Sequence, residues 1–230
     1  MGVDRFYVVM ETTSSYLSES PLWLAGAFQL CAALKLAGKK LLVGYCNHQL
    51  LPLGCVGVDA VASGTWLNVR AFQPEKFIIS SDEEISRRAK GGWYYCPQAL
   101  SEYKMPMLDV AQRKGVLSLM SPSPDEGFAS PLFSGVQPSL VDWGERNAFL
   151  HYLGTLRAQC KLVSSASYDK ALSNQRKKLV SAKELIENLR SNGVRGNDRD
   201  FFDLVDVSLS ALDILDGAYG AKLRRLMSGK

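Results

Sequence analysis

The feature that most constrains this chain is an alternation of apolar runs with two different periods over its first sixty-four residues. "RFYVVME" (5–11) is short, β-rich and apolar, the pattern of a buried strand. After a polar loop, Ser20-Pro21 offers a helix start, with Ser as N-cap and Pro at the first helical position. "LWLAGAFQLCAALKLAG" (22–38) then reads as a helix that stops at Gly38. "KLLVGYC" (40–46) is a second buried strand. "NHQLLPLGCVG" (47–57) is a short helix or irregular turn interrupted by Pro52 and Gly54, and "VDAVASG" (58–64) is a third strand. Strands that are apolar throughout, linked by helical crossovers, imply a parallel sheet.

Beyond Phe72 the pattern changes. "FIIS" (77–80) reads as a strand, and "SDEEISRRAK" (81–90) as a short helix with acids first and bases last, which suits its dipole. "GGWYYCP" and "MPMLDVAQRKG" make a compact mixed segment. Residues 121–138, rich in Ser, Pro and Gly, are the best loop or boundary. Three helix-periodic stretches follow, at 139–161, 166–192 and 198–228, with Asp198 expected to cap the last. The expected architecture is therefore α/β: a partial (βα) barrel-like parallel sheet in 1–80, a compact connecting segment in 81–135, and a C-terminal helical bundle in 136–230.

With 230 residues, 47% hydrophobic and 22% charged, the chain can bury a substantial core. Its net charge of +4 allows a nucleic-acid partner without requiring one. Five widely spaced cysteines, with no C-x-x-C pair, fit free thiols in a reducing compartment and suggest a cytoplasmic protein. The N-terminal run has no signal-peptide pattern, "MGVDRF" lacks the Ser or Thr of a myristoylation signal, and Leu22–Leu36 is short for a membrane span, so no membrane partner is expected. Cys46, His48 and Cys55 lack the tight spacing of a zinc site, and no metal or cofactor is expected.

In parallel α/β folds, ligands sit at the carboxyl ends of the strands. Those ends supply Glu11, then Asn47 and His48, then Ser63, with Asn68 and Arg70 close behind. Glu11 is the candidate general base or acid; Asn47, His48, Ser63, Asn68 and Arg70 are candidate substrate ligands. Asp59 lies at the opposite end of its strand and reads as structural. Trp93, Tyr94 and Tyr95 follow Arg87, Arg88 and Lys90; the rings are candidates to stack on bases but more simply enter the core. Arg87, Arg88, Lys177 and Lys178 are candidate nucleic-acid contacts, although Asp200, Asp203, Asp206, Asp213 and Asp216 dilute the basic tail. His151, among apolar neighbours, reads as a packed histidine.

The order Val43-Gly44, loop and short helix, Gly57-Val58-Asp59, short strand and Leu67–Arg70, preceded by "VVMETTS" and "LWLAGAFQL", resembles the C-terminal part of the barrel of tRNA-guanine transglycosylases and their DNA-acting relatives. The resemblance covers residues 5–72. It implies base exchange on a nucleic-acid base or nucleoside, in tRNA or DNA. In that family a nucleophilic aspartate stands three residues after the Asp of Gly-Val-Asp; here the position is Ala62, which cannot form a covalent intermediate. The family's cysteine-rich zinc site has no counterpart, and eight barrel strands need about 250 residues. Two readings follow. The chain is a transglycosylase-like subunit of a split enzyme, its sheet completed by a second chain or a second copy. Alternatively, it is a non-catalytic binding or assembly protein on a degenerate barrel scaffold, its sheet edges closed by its own later segments.

Overall fold

The computed structural model describes residues 2–12, 16–64, 69–77, 92–122, 124–164 and 167–228. Strands β1 (Arg5–Val8), β2 (Lys40–Val43) and β3 (Ala60–Val61) form a three-stranded parallel sheet in sequence order. Arg5 lies opposite Lys40, Tyr7 opposite Leu42, and Leu42 opposite Ala60. The third strand is shorter than its apolar run suggests, yet its extension stays in the sheet: Ala62 N donates to Val43 O, and Cys46 N donates to Ala62 O. Further along, Glu11 and Phe72 form a parallel bridge, and Thr12 N donates to Phe72 O.

The first crossover is helix α1 (Pro21–Leu36). Ser20 Oγ accepts the Trp23 N–H at 3.2 Å, Pro21 fills the first turn, and Gly38 takes a positive φ of 73° just past the end. The second crossover is a nine-residue 3₁₀ helix, His48–Val56, with Pro52 inside it and Gly57 at a φ of 73° closing it. Proline there removes a donor that an α-helix would need. Leu41 and Val43 face the core that these crossovers share. The residues between them point the other way. Tyr7 is 60% and Leu42 39% exposed, and Arg5, Lys40 and Ala60 are exposed beside them.

A two-stranded antiparallel hairpin, β4 (Trp93–Cys96) and β5 (Ser101–Lys104), occupies the connecting segment, followed by helix α2 (Met105–Arg113) and 3₁₀ turns at Leu117–Met120, Pro124–Phe133 and Pro138–Leu140. Tyr94 and Tyr95 are buried. Three long helices complete the chain: α3 (Glu145–Val163), α4 (Tyr168–Ser191) and α5 (Phe202–Ser228). Asp200, rather than Asp198, serves the start of α5, its Oδ1 accepting the Phe202 N–H at 3.0 Å; Asp198 lies in the preceding 3₁₀ turn, Asn197–Arg199. The sheet, the hairpin and these helices share one core, in which α1 packs along α5. The described elements thus form a mixed α/β fold, and the sheet they build is open rather than a closed barrel. Of the expected strand at 77–80, Phe77 ends a 3₁₀ turn, Pro74–Phe77, and the remainder lies outside the described residues, as does the expected helix at 81–90. Among the described residues no helix is long and apolar enough to cross a membrane.

Candidate functional site

Asn47 ties the three strand-end loops together. Its Oδ1 accepts the Gln49 N–H at 2.9 Å and starts the 3₁₀ crossover. Its Nδ2 donates to Tyr16 O at 3.0 Å, after β1, and to Arg70 O at 3.1 Å, after β3. Both polar atoms of this buried amide are therefore used inside the protein.

His48, the next residue, is 2% exposed and enclosed by rings from distant segments. Tyr95 and Phe201 lie 5.0 and 5.4 Å from it between centroids. Its Nδ1 meets the Tyr16 hydroxyl at 3.3 Å and the Tyr152 hydroxyl at 3.5 Å. Burial, then the nearby Arg70 and Lys178 cations, lower its pKa to about 3, with the Leu100 backbone partly opposing. The imidazole is thus neutral at physiological pH. Burial also pushes the Tyr152 phenol up to about 12.

Arg70 and Glu102 form a buried ion pair at 3.1 Å, with each side chain 5% exposed. The Arg70 guanidinium lies 3.4 Å over the Tyr152 ring, and its Nε donates to Gly64 O at 3.2 Å. Glu102, on β5, also accepts from Arg199 at 2.7 Å and from the Tyr16 hydroxyl at 3.1 Å. One carboxylate therefore gathers donors from the loop after β1, the loop after β3 and the turn before α5. Sequence reasoning missed Glu102, Tyr16, Tyr152 and Arg199. The signal within reach was the pair of tyrosines in "WYYC" beside the acid of "SEYK", which a hairpin reading would have placed face to face.

The structure brings Asn47, His48 and Arg70 together and leaves Glu11 apart. Glu11 is exposed; its backbone oxygen accepts from Trp23 Nε1 at 2.9 Å. Ser63 is half-buried, and its buried hydroxyl has no partner among the described residues. Asn68, Arg87 and Arg88 lie outside the described residues. Lys177 is exposed and Lys178 half-buried, both on α4. Ala62 is exposed at the carboxyl end of β3. Asp59 accepts from Lys35 Nζ at 2.6 Å and from Leu41 N at 2.8 Å; these bonds outweigh the upward push of burial and hold its carboxyl below the usual range. His151 is buried with its Nε2 2.7 Å from Tyr95 O. Cys46 turns its thiol to Val43 O, and the described residues offer no group of three His, Cys, Asp or Glu arranged to hold a metal.

This arrangement locks three loops at the carboxyl end of the sheet into one rigid unit. It presents neutral imidazole and phenols rather than a nucleophile. Beside it, a cavity of about 100 Å³ runs between β3, the 3₁₀ crossover and α3, lined mainly by apolar groups that include Leu50, Val61, Leu156 and Cys160. No protein-family model, curated protein or solved structure matches the chain.

Proposed function

We propose that this chain is a transglycosylase-like subunit, built on a barrel-like half-sheet with a helical bundle behind it, that works on a nucleic-acid base or nucleoside only when a second protein chain covers its sheet. The observation that carries this reading is the open face. A parallel sheet is almost always covered on both sides. Here Tyr7, Leu42 and Ala60 form an exposed apolar row across all three strands. Arg5 and Lys40 stand in register beside that row. Two copies meeting through this face would bring like charges together, so the occupant is a different chain with an apolar centre and an acidic rim. The locked loops give binding geometry, and with Ala62 where the resembled family has its nucleophile, the partner supplies the missing group. Free cysteines throughout suit a reducing compartment, which we take to be the cytoplasm.

The test is exchange of a labelled free base into tRNA or DNA, by the chain alone and with a candidate partner carrying the remaining strands. The expected result is activity only with both chains, abolished by Leu42→Glu. Activity of the chain alone, lost in Glu11→Gln, overturns the split-enzyme reading and gives Glu11 the acid-base role. Nucleic-acid binding with no exchange under any pairing leaves the degenerate-scaffold reading in its place.

A further inference from the structure

The hydrogen bonds between β2 and β3 leave the backbone groups of Val61 unused. Ala62 spends both of its own on β2: its N–H donates to Val43 O, and its carbonyl accepts the Cys46 N–H. Successive residues of a strand turn these groups to opposite sides, so the Val61 N–H and C=O point away from β2. Among the described residues no strand lies beyond β3 in the sheet, and none bonds to either group.

An open edge alone is no site, since every open sheet has two. The cavity beside this edge gives it a shape. Val61 lies opposite Val43 and shares its face, toward the core. The cavity of about 100 Å³ adjoins it and is floored by Leu156 and Cys160, one turn apart on α3. Helix α3 therefore backs the place where a fourth strand would lie. The polar groups around the cavity are already satisfied. The Asn47 amide is bonded to three backbone groups, Asp59 to Lys35 and Leu41 N, and Ser164 Oγ donates to Cys160 O at 3.0 Å. A small-molecule site usually needs roughly 300 Å³ or more, with a few polar groups to orient its ligand. This space instead fits one branched aliphatic side chain.

We infer that the β3 edge takes an extended segment of a different protein chain as a fourth strand, with an Ile, Leu or Val opposite Val61 filling the cavity. Naming that chain as the one that covers the sheet rests on the split-subunit reading above. Backbone bonds to Val61 supply affinity, and the cavity selects the side chain between them. The neighbours of that residue fall on the other face, beside Ala60, where they extend the exposed row of Tyr7, Leu42 and Ala60. The strand is thus apolar on both faces at its centre. A second copy does not supply it. The inward residues of its own edge strands, Phe6, Val8 and Val61, already pack against their own core.

The experiment measures binding of the full chain to a fluorescein-labelled peptide of alternating threonine and valine with isoleucine at its centre. Companion peptides carry aspartate at the centre, or N-methyl groups on alternate amides. The expected result is that the isoleucine peptide binds at least tenfold more tightly than the aspartate and N-methylated ones. Val61→Pro removes the outward N–H and spares the bonds that Ala62 makes to β2, a replacement that an edge strand tolerates. It should weaken the isoleucine peptide at least tenfold, as should Cys160→Phe, which fills the cavity. Thermal melting checks both variants, and the peptide series on the parent chain decides the matter if neither folds. No binding at millimolar concentration, equal binding of the aspartate peptide, or affinity unchanged in a folded Val61→Pro chain would overturn the inference. Self-association of the chain that Val61→Pro abolishes would give the edge to a second copy and overturn it too. The assay reads no base exchange. Peptide capture without exchange under any pairing sinks the catalytic reading alone, whereas exchange with a partner that is undiminished in Val61→Pro sinks this inference alone.

Discussion

His48 lies where its charge would be most costly, between Arg70, Lys178 and a wall of aromatic rings. Its pKa in the fold, about 3, lies below the ordinary 6.5. Above pH 6.5 neither folded nor unfolded chain carries the proton, and His48 does not bias the balance. As pH falls below 6.5 the unfolded chain takes up a proton that the folded one refuses. Stability is then lost at up to about 1.4 kcal/mol per pH unit until the folded pKa is reached. Urea midpoints measured between pH 8 and pH 4 should fall less steeply in His48→Gln than in the parent; superimposable slopes would show that the ring is not held neutral. Glu102 allows a second prediction. Removing its charge in Glu102→Gln strands the buried Arg70 and should cost on the order of 3–5 kcal/mol. Adding Arg70→Met should recover most of that loss. Additive losses in the double variant would mean that the two side chains act separately.

The elements were legible where local chemistry decides them. Ser20-Pro21 and Gly38 bracket α1 in the sequence as they do in the fold. Ser20→Ala removes the acceptor for the Trp23 N–H and should cost about 1 kcal/mol, with Ser20→Asp restoring it; an unchanged melting temperature in the alanine variant would mean that packing alone holds the first turn. The β4–β5 hairpin was not legible. Its connection, Pro97–Leu100, carries no Asn-Gly or Gly pair, and Leu100 supplies the positive φ of 51° that glycine usually provides. Tertiary packing holds that leucine, at 3% exposure, against its preference. The candidate site divides along the same line. Asn47, His48 and Arg70 follow strands and can be named from the strand pattern. Glu102, Tyr152 and Arg199 reach the same cluster from elements whose placement no local pattern encodes. The start of α5 shows a smaller version: the sequence offers Asp198 as the cap, but the 3₁₀ turn Asn197–Arg199 takes up that residue and leaves Asp200 to accept the Phe202 N–H.

At the scale of the whole molecule, the sheet and the three long helices do not divide into independently buried cores. Leu24, Phe28 and Cys31 of α1 lie in the same cluster as Ala211, Leu212 and Leu215 of α5. The N-terminal α/β region is thus held from behind by the last helix. The order of synthesis gives this pairing a consequence. A ribosome releases α1 long before it has made α5, so the apolar side of α1 spends most of translation without its mate. Contacts so distant in sequence form slowly, and surface exposed in the meantime invites wrong partners. The nascent chain is therefore most open to misassociation until its final helix emerges to cover α1.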